Sequence, residues 1–507
     1  MGGGLGLPAG IAASAYGLVA VLLAYWVLRE HYQNSPTFRA AAYCATFSVI
    51  SVPLIPYPAL LLAIATPFAL FLYPTDKRHA PAIFFCLLFL FPDDITYQVP
   101  FPGLNYLFEY QWWLIVVILF MLRFRPTLSH LRPNATDIFF ILFVVSVIAM
   151  DFRGVSITEG ARRATMTSLY YLVPYFIFRR AFGSFDDFRQ LLHGFVIVAV
   201  FLAALALVSQ AVKWDFMKFQ SFRVEPEYRF GLVRLGTTLS TVLLGTVVAI
   251  GLLAAWVQRN PLITRISPRQ LLTVLMFFLA ILSTGSRAAI VFALISITIC
   301  IFHRRLTSFR FRAITVALIS TYSVLLQRVV SFDTTSLDTS DYDTFGYRQR
   351  LIQASLKKIG ETPWLGDHQF LDSWHFNDLV QGQGIVDIVN RYLQIGLEYG
   401  VVVLAFFIFA FYFCLSNIFR VLDRANNSQK GNAFEPPVLG FIAACIVGYI
   451  VVIGTTSDTS HIGILGACLL GIARCAANIT ERDIGLGRNQ SRLGNFGQVQ
   501  RINQDAS

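Results

Sequence analysis

Charge is what this chain has least of. Only 14% of its 507 residues are Asp, Glu, Lys or Arg, and 56% are hydrophobic; a soluble domain carries about a quarter charged residues. With a mean hydropathy of +0.61, this much apolar surface cannot be hidden in one globular core. Apolar runs long enough to cross about 30 Å of hydrocarbon recur along almost the whole length. A soluble enzyme and a disordered chain are excluded. A nucleic-acid binder is excluded too, despite the net charge of +11 and the pI near 9.4. Cysteine is missing from polar segments. Cys44, Cys86, Cys300, Cys414, Cys445, Cys468 and Cys475 all fall within or at the ends of apolar runs, where they are expected as small packing residues rather than disulfides or metal ligands. No basic segment precedes the first apolar run and no convincing cleavage site follows it, so that run is expected as a retained span.

The apolar runs and their polar breaks predict an all-α fold, a polytopic integral membrane bundle of about 13–15 transmembrane helices. The runs lie near 8–28, 40–54, 57–73, 80–92, 106–122, 136–150, 166–178, 190–211, 235–257, 269–283, 286–303, 311–329, 389–416, 437–454 and 461–477. The 40–73 stretch also fits one broken or re-entrant element. Residues 1–477 are thus expected as one transmembrane domain, and 478–507, rich in Arg, Asn, Gln and Gly, as a disordered cytoplasmic tail.

Basic loops set the orientation. Arg123, Arg125 and Arg132 share one loop, Arg179, Arg180 and Arg189 a second, and Arg259, Arg265 and Arg269 a third. Arg304, Arg305, Arg310 and Arg312 make a fourth, and Arg420, Arg424 and Lys430 a fifth. They alternate with segments 91–109 and 454–460, which hold no Lys or Arg, and are expected on the cytoplasmic side. The outer side then owns 151–165, 213–234 and 330–388. These loops carry cations against the rule, among them Arg153, Arg162, Arg163, Arg223, Arg229, Arg348 and Arg350. Either they pair with Glu159, Asp215, Glu225 and Glu227, or they form a site for an anionic substrate, which arginine grips by bidentate hydrogen bonds.

The Ser-Thr-Gly-Ser-Arg run at 283–287 stands between two apolar spans with almost no loop. A tight outer turn there puts Arg287 at a helix start, where unpaired N–H groups favour an anion; a snorkelling arginine capping a helical hairpin fits as well. The acidic run 333–343 lacks the Gly and the bidentate Glu of an EF-hand, which leaves a solvated loop. Residues 346–360 predict an amphipathic helix with Ile352, Leu356 and Ile359 on one face and Arg348 at its edge, while Arg350 and Lys357 lie opposite. Arg348 is therefore expected to turn toward the protein body or bilayer; a helix lying on the membrane surface would show the same pattern. Asn390, Gln394 and Glu398 recur every fourth residue on a helix entering the bilayer, which puts Glu398 about 12 Å below Asn390. An acid at that depth faces a polar cavity or pairs with an arginine. His375 is either solvated or a general base.

The Ser-Thr-Gly-Ser-Arg run, Arg348 fifteen residues before the Pro-Trp-Leu-Gly run at 363–366, and the Asn-Arg-Tyr-Leu-Gln-Ile-Gly-Leu-Glu-Tyr-Gly run at 390–400 resemble, in order and approximate spacing, the O-antigen ligase and polymerase superfamily. The resemblance spans about residues 270–416. It implies a glycosyltransferase C-like inner-membrane enzyme that acts on undecaprenyl-diphosphate-linked glycans at the periplasmic face, with Arg287 and Arg348 matching the arginines thought to hold the pyrophosphate. Ligases of the family usually carry His before the Asn that matches Asn390, and this chain has Val389. That departure moves the expectation toward the polymerase branch.

The expected activity is thus polymerisation of lipid-linked repeat units into a heteropolysaccharide, with no metal or other cofactor. Asp387, Glu398 and His375 are the candidate proton acceptors, and Arg223, Arg229, Arg350, Asn390, Arg391 and Gln394 the candidate substrate-binding residues. Membrane lipid and a chain-length regulator or other export components are the expected partners. A ligase that transfers glycan to a lipid or protein acceptor is the alternative within the family. A flippase or other transporter is the alternative outside it, although no internal repeat of the transporter kind is visible.

Overall fold

The computed structural model describes residues 7–55, 57–72, 78–92, 95–98, 109–123, 133–217, 228–229, 232–258, 267–302, 344–380, 386–427, 435–456 and 461–482. Helices dominate them: α1 (Leu7–Tyr32), α2 (Pro36–Leu54), α3 (Pro58–Leu72), α4 (Ala80–Phe89), α5 (Trp112–Arg123), α6 (Ala135–Asp151), α7 (Ile157–Thr167), α8 (Val173–Phe178), α9 (Phe185–Val212), α10 (Thr241–Gln258), α11 (Pro268–Ser283) and α12 (Arg287–Phe302). Then come α13 (Thr344–Glu361), α14 (Arg391–Tyr399), α15 (Val401–Asn427), α16 (Glu435–Ile453) and α17 (Ile462–Arg482). The strands described are two short antiparallel pairs, Thr96–Gln98 with Glu109–Gln111 and Tyr228–Arg229 with Leu232–Val233. Seven of the described helices are long and apolar enough to cross a membrane, and five shorter ones are apolar. The protein is an all-α polytopic membrane protein.

The helix starts follow from local chemistry. Proline opens α2 and α11 at positions whose N–H has no helical partner. Asn134 with Asp137, and Ser267 with Gln270, make reciprocal capping boxes. At the centre stands α9, buried along most of its length against α1, α4, α10 and α11. Lipid supplies no hydrophobic drive between helices, so close approach of small residues holds them. Gly251 meets Ala199 and Gly194 meets Ala82 in this way. All seven cysteines are buried free thiols, the packing role expected of them.

The described helix ends that flank the two kinds of segment meet at opposite ends of the bundle. At the basic end Tyr32 donates to Gln258 (3.4 Å), Thr37 contacts His79 (3.2 Å) and Arg482 donates to the Gly183 carbonyl (2.8 Å). At the other end Thr238 donates to the Phe89 carbonyl (2.7 Å) and Leu235 to that of Ser283 (3.4 Å).

The 40–73 stretch is two helices with a break after Leu54, as the separate runs 40–54 and 57–73 predict, since Pro58 starts anew. Several other expected elements differ. Segment 151–165 is mostly helix: Ser156 caps α7, which runs through a π-helical turn at Ser168–Leu172 into α8. Arg179, expected in a basic loop, is buried against Asp137. The run 389–416 breaks at Gly400 into α14 and α15. The last helix continues to Arg482, past the expected boundary at 477. The run 311–329, the acidic segment 333–343 and Arg223 lie outside the described residues.

Candidate active site

The Ser-Thr-Gly-Ser-Arg run makes the tight turn expected of it. Gly285 takes a φ of +59°, the left-handed conformation that costs glycine nothing. The Ser286 N–H donates to Thr284 Oγ1 (3.1 Å), and Ser286 Oγ accepts from the Ala289 N–H (3.4 Å). Arg287 is thereby the first residue of α12, and it is exposed while Ser283, Thr284 and Ser286 are buried. Ser296 donates to the Ala444 carbonyl (3.0 Å), so α12 runs antiparallel to α16 and its Arg287 end is level with the end of α16 near Ile453.

The same end of α16 receives α14. Tyr392 donates its hydroxyl to the Ile450 carbonyl (2.8 Å). Asn390 is not free to bind substrate with its amide oxygen, which accepts from the N–H groups of Tyr392 (2.9 Å) and Leu393 (3.1 Å) as the helix cap. The polar stripe shifts accordingly to Arg391, Gln394 and Glu398, all half-buried, which share a face at i, i+3 and i+7.

The Pro-Trp-Leu-Gly run locks onto the end of α14. Gly366 (φ +63°) and Gly400 (φ +88°) bring two backbones into direct contact. The Asp367 N–H donates to the Leu397 carbonyl (2.7 Å), and the Val401 N–H to that of Pro363 (2.8 Å). Arg153 staples both sides, with Nη2 on the Glu398 carbonyl (2.8 Å) and Nη1 on the Gly366 carbonyl (3.4 Å). The chain breaks at Gly400, and the Glu398 carboxylate meets His368 of the segment that follows the Pro-Trp-Leu-Gly run, with Oε1 3.5 Å from Nδ1.

Around this lock lies a polar cluster from three segments. His368 Nε2 contacts Arg163 Nη1; if Arg163 donates there, the ring proton sits on Nδ1, toward Glu398. Glu159 accepts from both Arg162 and Arg163 (2.9 Å each), and these bonds, Arg162's first, hold its carboxyl below the ordinary range. For these two cations the pairing reading holds. Arg391 donates to the Tyr171 hydroxyl (2.9 Å). Asp151 accepts from Thr167 (3.1 Å) and from Tyr399 (3.5 Å). Tyr171 belongs to the π-helical turn, a deviation frequent at functional sites. The cluster combines fixed cations, an acid and an imidazole, a set suited to binding an anion and moving a proton.

The remaining predicted residues are placed less centrally. Arg348 is exposed, not turned inward: α13 buries Leu351, Ala354, Ser355 and Gln349 instead of the Ile352–Leu356–Ile359 face. The Leu351–Ala354 face packs on a small core of Phe370, Phe376, Leu379, Ile388 and Leu397, so the helix covers its own loop rather than lying apolar side down on a bilayer. Arg350 is exposed as expected. Asp387 joins this layer through its backbone: its N–H donates to the Tyr347 hydroxyl (3.1 Å), which donates to its carbonyl (3.2 Å). Arg229 lies in the short strand Tyr228–Arg229, paired with Leu232. Among the described residues no cluster of metal-ligating side chains is present.

His375 is not solvated; its ring is 5% exposed, with Nε2 2.7 Å from Glu361 Oε1. Lys358 links Asp367 (2.9 Å) and Glu361 (3.4 Å). Lys358 holds the Asp367 carboxyl below its usual range, and His375 does the same for Glu361. A carboxylate depressed in the folded state stabilises it above the unfolded value and loses that contribution as pH falls through the folded one. Amides of 362–380 are therefore expected to stay protected near neutrality and to exchange faster, beyond the intrinsic pH effect, below about pH 4. Hydrogen exchange checks this, and Lys358→Met should remove most of the acid dependence.

Sequence reasoning missed His368, which follows the Pro-Trp-Leu-Gly run by two residues. It also gave Arg153 and Arg163 no role beyond their charge. The signal for His368 was its adjacency to a motif glycine; nothing local marks Arg153 or Tyr171.

Residues 271–408 match the family model described as O-antigen ligase. No curated protein is significantly similar to the chain. The matched stretch supports the O-antigen ligase/polymerase superfamily, and with it glycosyl transfer in general. It contains Arg287, Arg348, the lock at Gly366–Gly400 and His368, whereas Asp151, Arg153, Arg163 and Tyr171 come from outside it.

Proposed function

We propose that the protein polymerises undecaprenyl-diphosphate-linked repeat units into a heteropolysaccharide at the periplasmic face of a bacterial inner membrane, with its C-terminus in the cytoplasm. The observation that carries the reading is the convergence of exposed Arg287 and the Arg391–His368–Glu398 cluster on the same end of α16, within and beside the segment matched to a glycan-transfer family. The donor is a growing chain on its lipid diphosphate, and the acceptor is the terminal sugar of a lipid-linked repeat. As the anomeric C–O bond to diphosphate breaks, the leaving group gains negative charge, which Arg287 and Arg348 stabilise. His368, oriented by Glu398, takes the acceptor hydroxyl proton once Arg163 turns from Nε2 to the incoming diphosphate. Asp387 and His375 are weaker candidates, the first held by its backbone and the second by Glu361. Exposed Trp364, Leu365, Leu371 and Trp374 supply a lip of the kind found at membrane interfaces, suited to lipid-linked substrates. A chain-length regulator is the partner this reading assigns to the exposed outer loop.

Transfer to a different acceptor is the second reading, favoured by the ligase description of the matched family; Val389 speaks against it. Lipid-linked glycans from cells that express Arg287→Ala, Arg348→Ala or His368→Gln decide between them. Each variant, stably produced, is expected to lower long polymer by about 100-fold or more and to leave single lipid-linked repeats. Long polymer still on its carrier would mean a ligase. Repeats trapped on the cytoplasmic face would mean a flippase, and unchanged polymer would sink the site assignment.

A further inference from the structure

A cavity of about 540 Å³ opens at the basic end of the bundle, between α1, α9, α10, α11 and α12. It is within the size range of small-molecule sites, about 300–1,000 Å³. Its walls are apolar, from Leu28, Val196, Leu253, Val274, Phe278 and Ile297. Its rim is polar: His31, Tyr32, His193, Gln258, Arg269 and Gln270. Gln258 Nε2 is buried without a hydrogen-bond partner, although its amide oxygen accepts from Tyr32. An unsatisfied buried donor is costly and asks for an acceptor. Arg269 pairs with Glu30 and lies 5.3 Å over the Trp26 ring. Arg29 neighbours His31 in the last turn of α1, and Arg189 stands one turn before His193 on α9. Among the described residues, the basic side chains that line the cavity are Arg269 and the two histidines, with Glu30 paired to Arg269.

We propose that this cavity binds a membrane phospholipid with an anionic headgroup. An acyl chain fills the apolar interior, and the phosphate accepts from Gln258 Nε2 and lies between Arg269 and the rim histidines. The lipid-diphosphate substrate is the less fitting occupant, because α11 runs 16 residues from this rim to the turn before Arg287, about 24 Å away at the opposite end of the bundle. The site is therefore distinct from the glycan-transfer centre and does not depend on that reading.

The test uses the full-length protein in phosphatidylcholine nanodiscs with a trace of phosphatidylglycerol that carries a photoactivatable acyl chain. Crosslinks are expected at Val274, Phe278 or Ile297, and unlabelled phosphatidylglycerol should displace them far better than phosphatidylcholine. Arg269→Gln should weaken that preference by about fivefold, the contribution of one arginine near a charged headgroup. Ala255→Trp, which fills the cavity, should abolish the crosslinks; if it does not fold, competition on the unsubstituted protein still decides. Equal competition by phosphatidylcholine, which would mean annular lipid only, would overturn the proposal. So would the absence of crosslinks at these residues, or displacement by a polyprenyl diphosphate alone.

Discussion

Gly400→Ala is expected to leave little folded protein, and Gly366→Ala to come close behind. Gly400 holds a φ of +88° with a ψ of 172°, a region essentially reserved for glycine, where another residue costs about 1–3 kcal/mol in backbone strain alone. A Cβ there would lie 2.4 Å from the Trp364 carbonyl oxygen and 2.6 Å from its carbon. Both are backbone atoms fixed by the Pro363–Val401 and Leu397–Asp367 hydrogen bonds, so the clash cannot be relieved by a rotamer change. Gly366, at φ +63°, would put a Cβ 2.6 Å from the Leu397 oxygen. The combined cost is a large share of the about 5–15 kcal/mol that keeps a protein folded. Gly360 is the control, because it has nothing within 4 Å of a built Cβ. Gly360→Ala, near the end of α13, should be neutral or stabilise by up to about 1 kcal/mol. Thermal unfolding in detergent reads all three. An ordinary midpoint for Gly400→Ala would mean that the lock does not exist.

Asp137→Ala should be nearly as damaging, at a place remote from the site. Asp137 is 1% exposed and accepts from Arg179 (3.0 Å), from Arg474 (3.4 Å) and from the Tyr175 hydroxyl. It joins α6, the end of α8 and α17, and its side chain also accepts from the Asn134 N–H at the α6 cap (2.8 Å). Removing the carboxylate takes the acid partner from two buried guanidinium groups, a loss of about 3–5 kcal/mol. Asp137→Leu combined with Arg179→Met and Arg474→Met should recover much of that, because no buried charge is then left unpaired. The check is the unfolding midpoint of each variant beside Glu30→Ala, which removes an exposed partner of Arg269 and should cost no more than about 1 kcal/mol. If Asp137→Ala falls with that surface variant, the buried cluster is not a structural tie.

Much of the candidate site was legible one motif at a time. The turn at 283–287 followed from a glycine and two hydroxyl residues between apolar runs, and Arg287 emerged at the helix start as expected. The amphipathic helix before the Pro-Trp-Leu-Gly run was visible, yet its packed face was not. The three isoleucine and leucine positions look like the apolar side, but the small core of Phe370, Phe376 and Leu379 selects Leu351 and Ala354. Arg348 therefore faces out. Asn390 looked like part of a stripe because its spacing fits one; only the backbone at α14 shows that its oxygen is spent on a cap.

By itself the sequence determined the solvent this protein folds in and the tight turn at 283–287. These are set by composition, by runs of apolar residues and by φ-permissive glycines, all local quantities. Which polar residues meet was decided only by the tertiary structure. His368 reaches Glu398 and Arg163 because two glycines 34 positions apart let two backbones touch, and Asp137 finds Arg474 across 337 positions. Charge in a membrane is costly unless paired, so the pairing is specific. No local pattern encodes the partner, since it depends on which helices pack together.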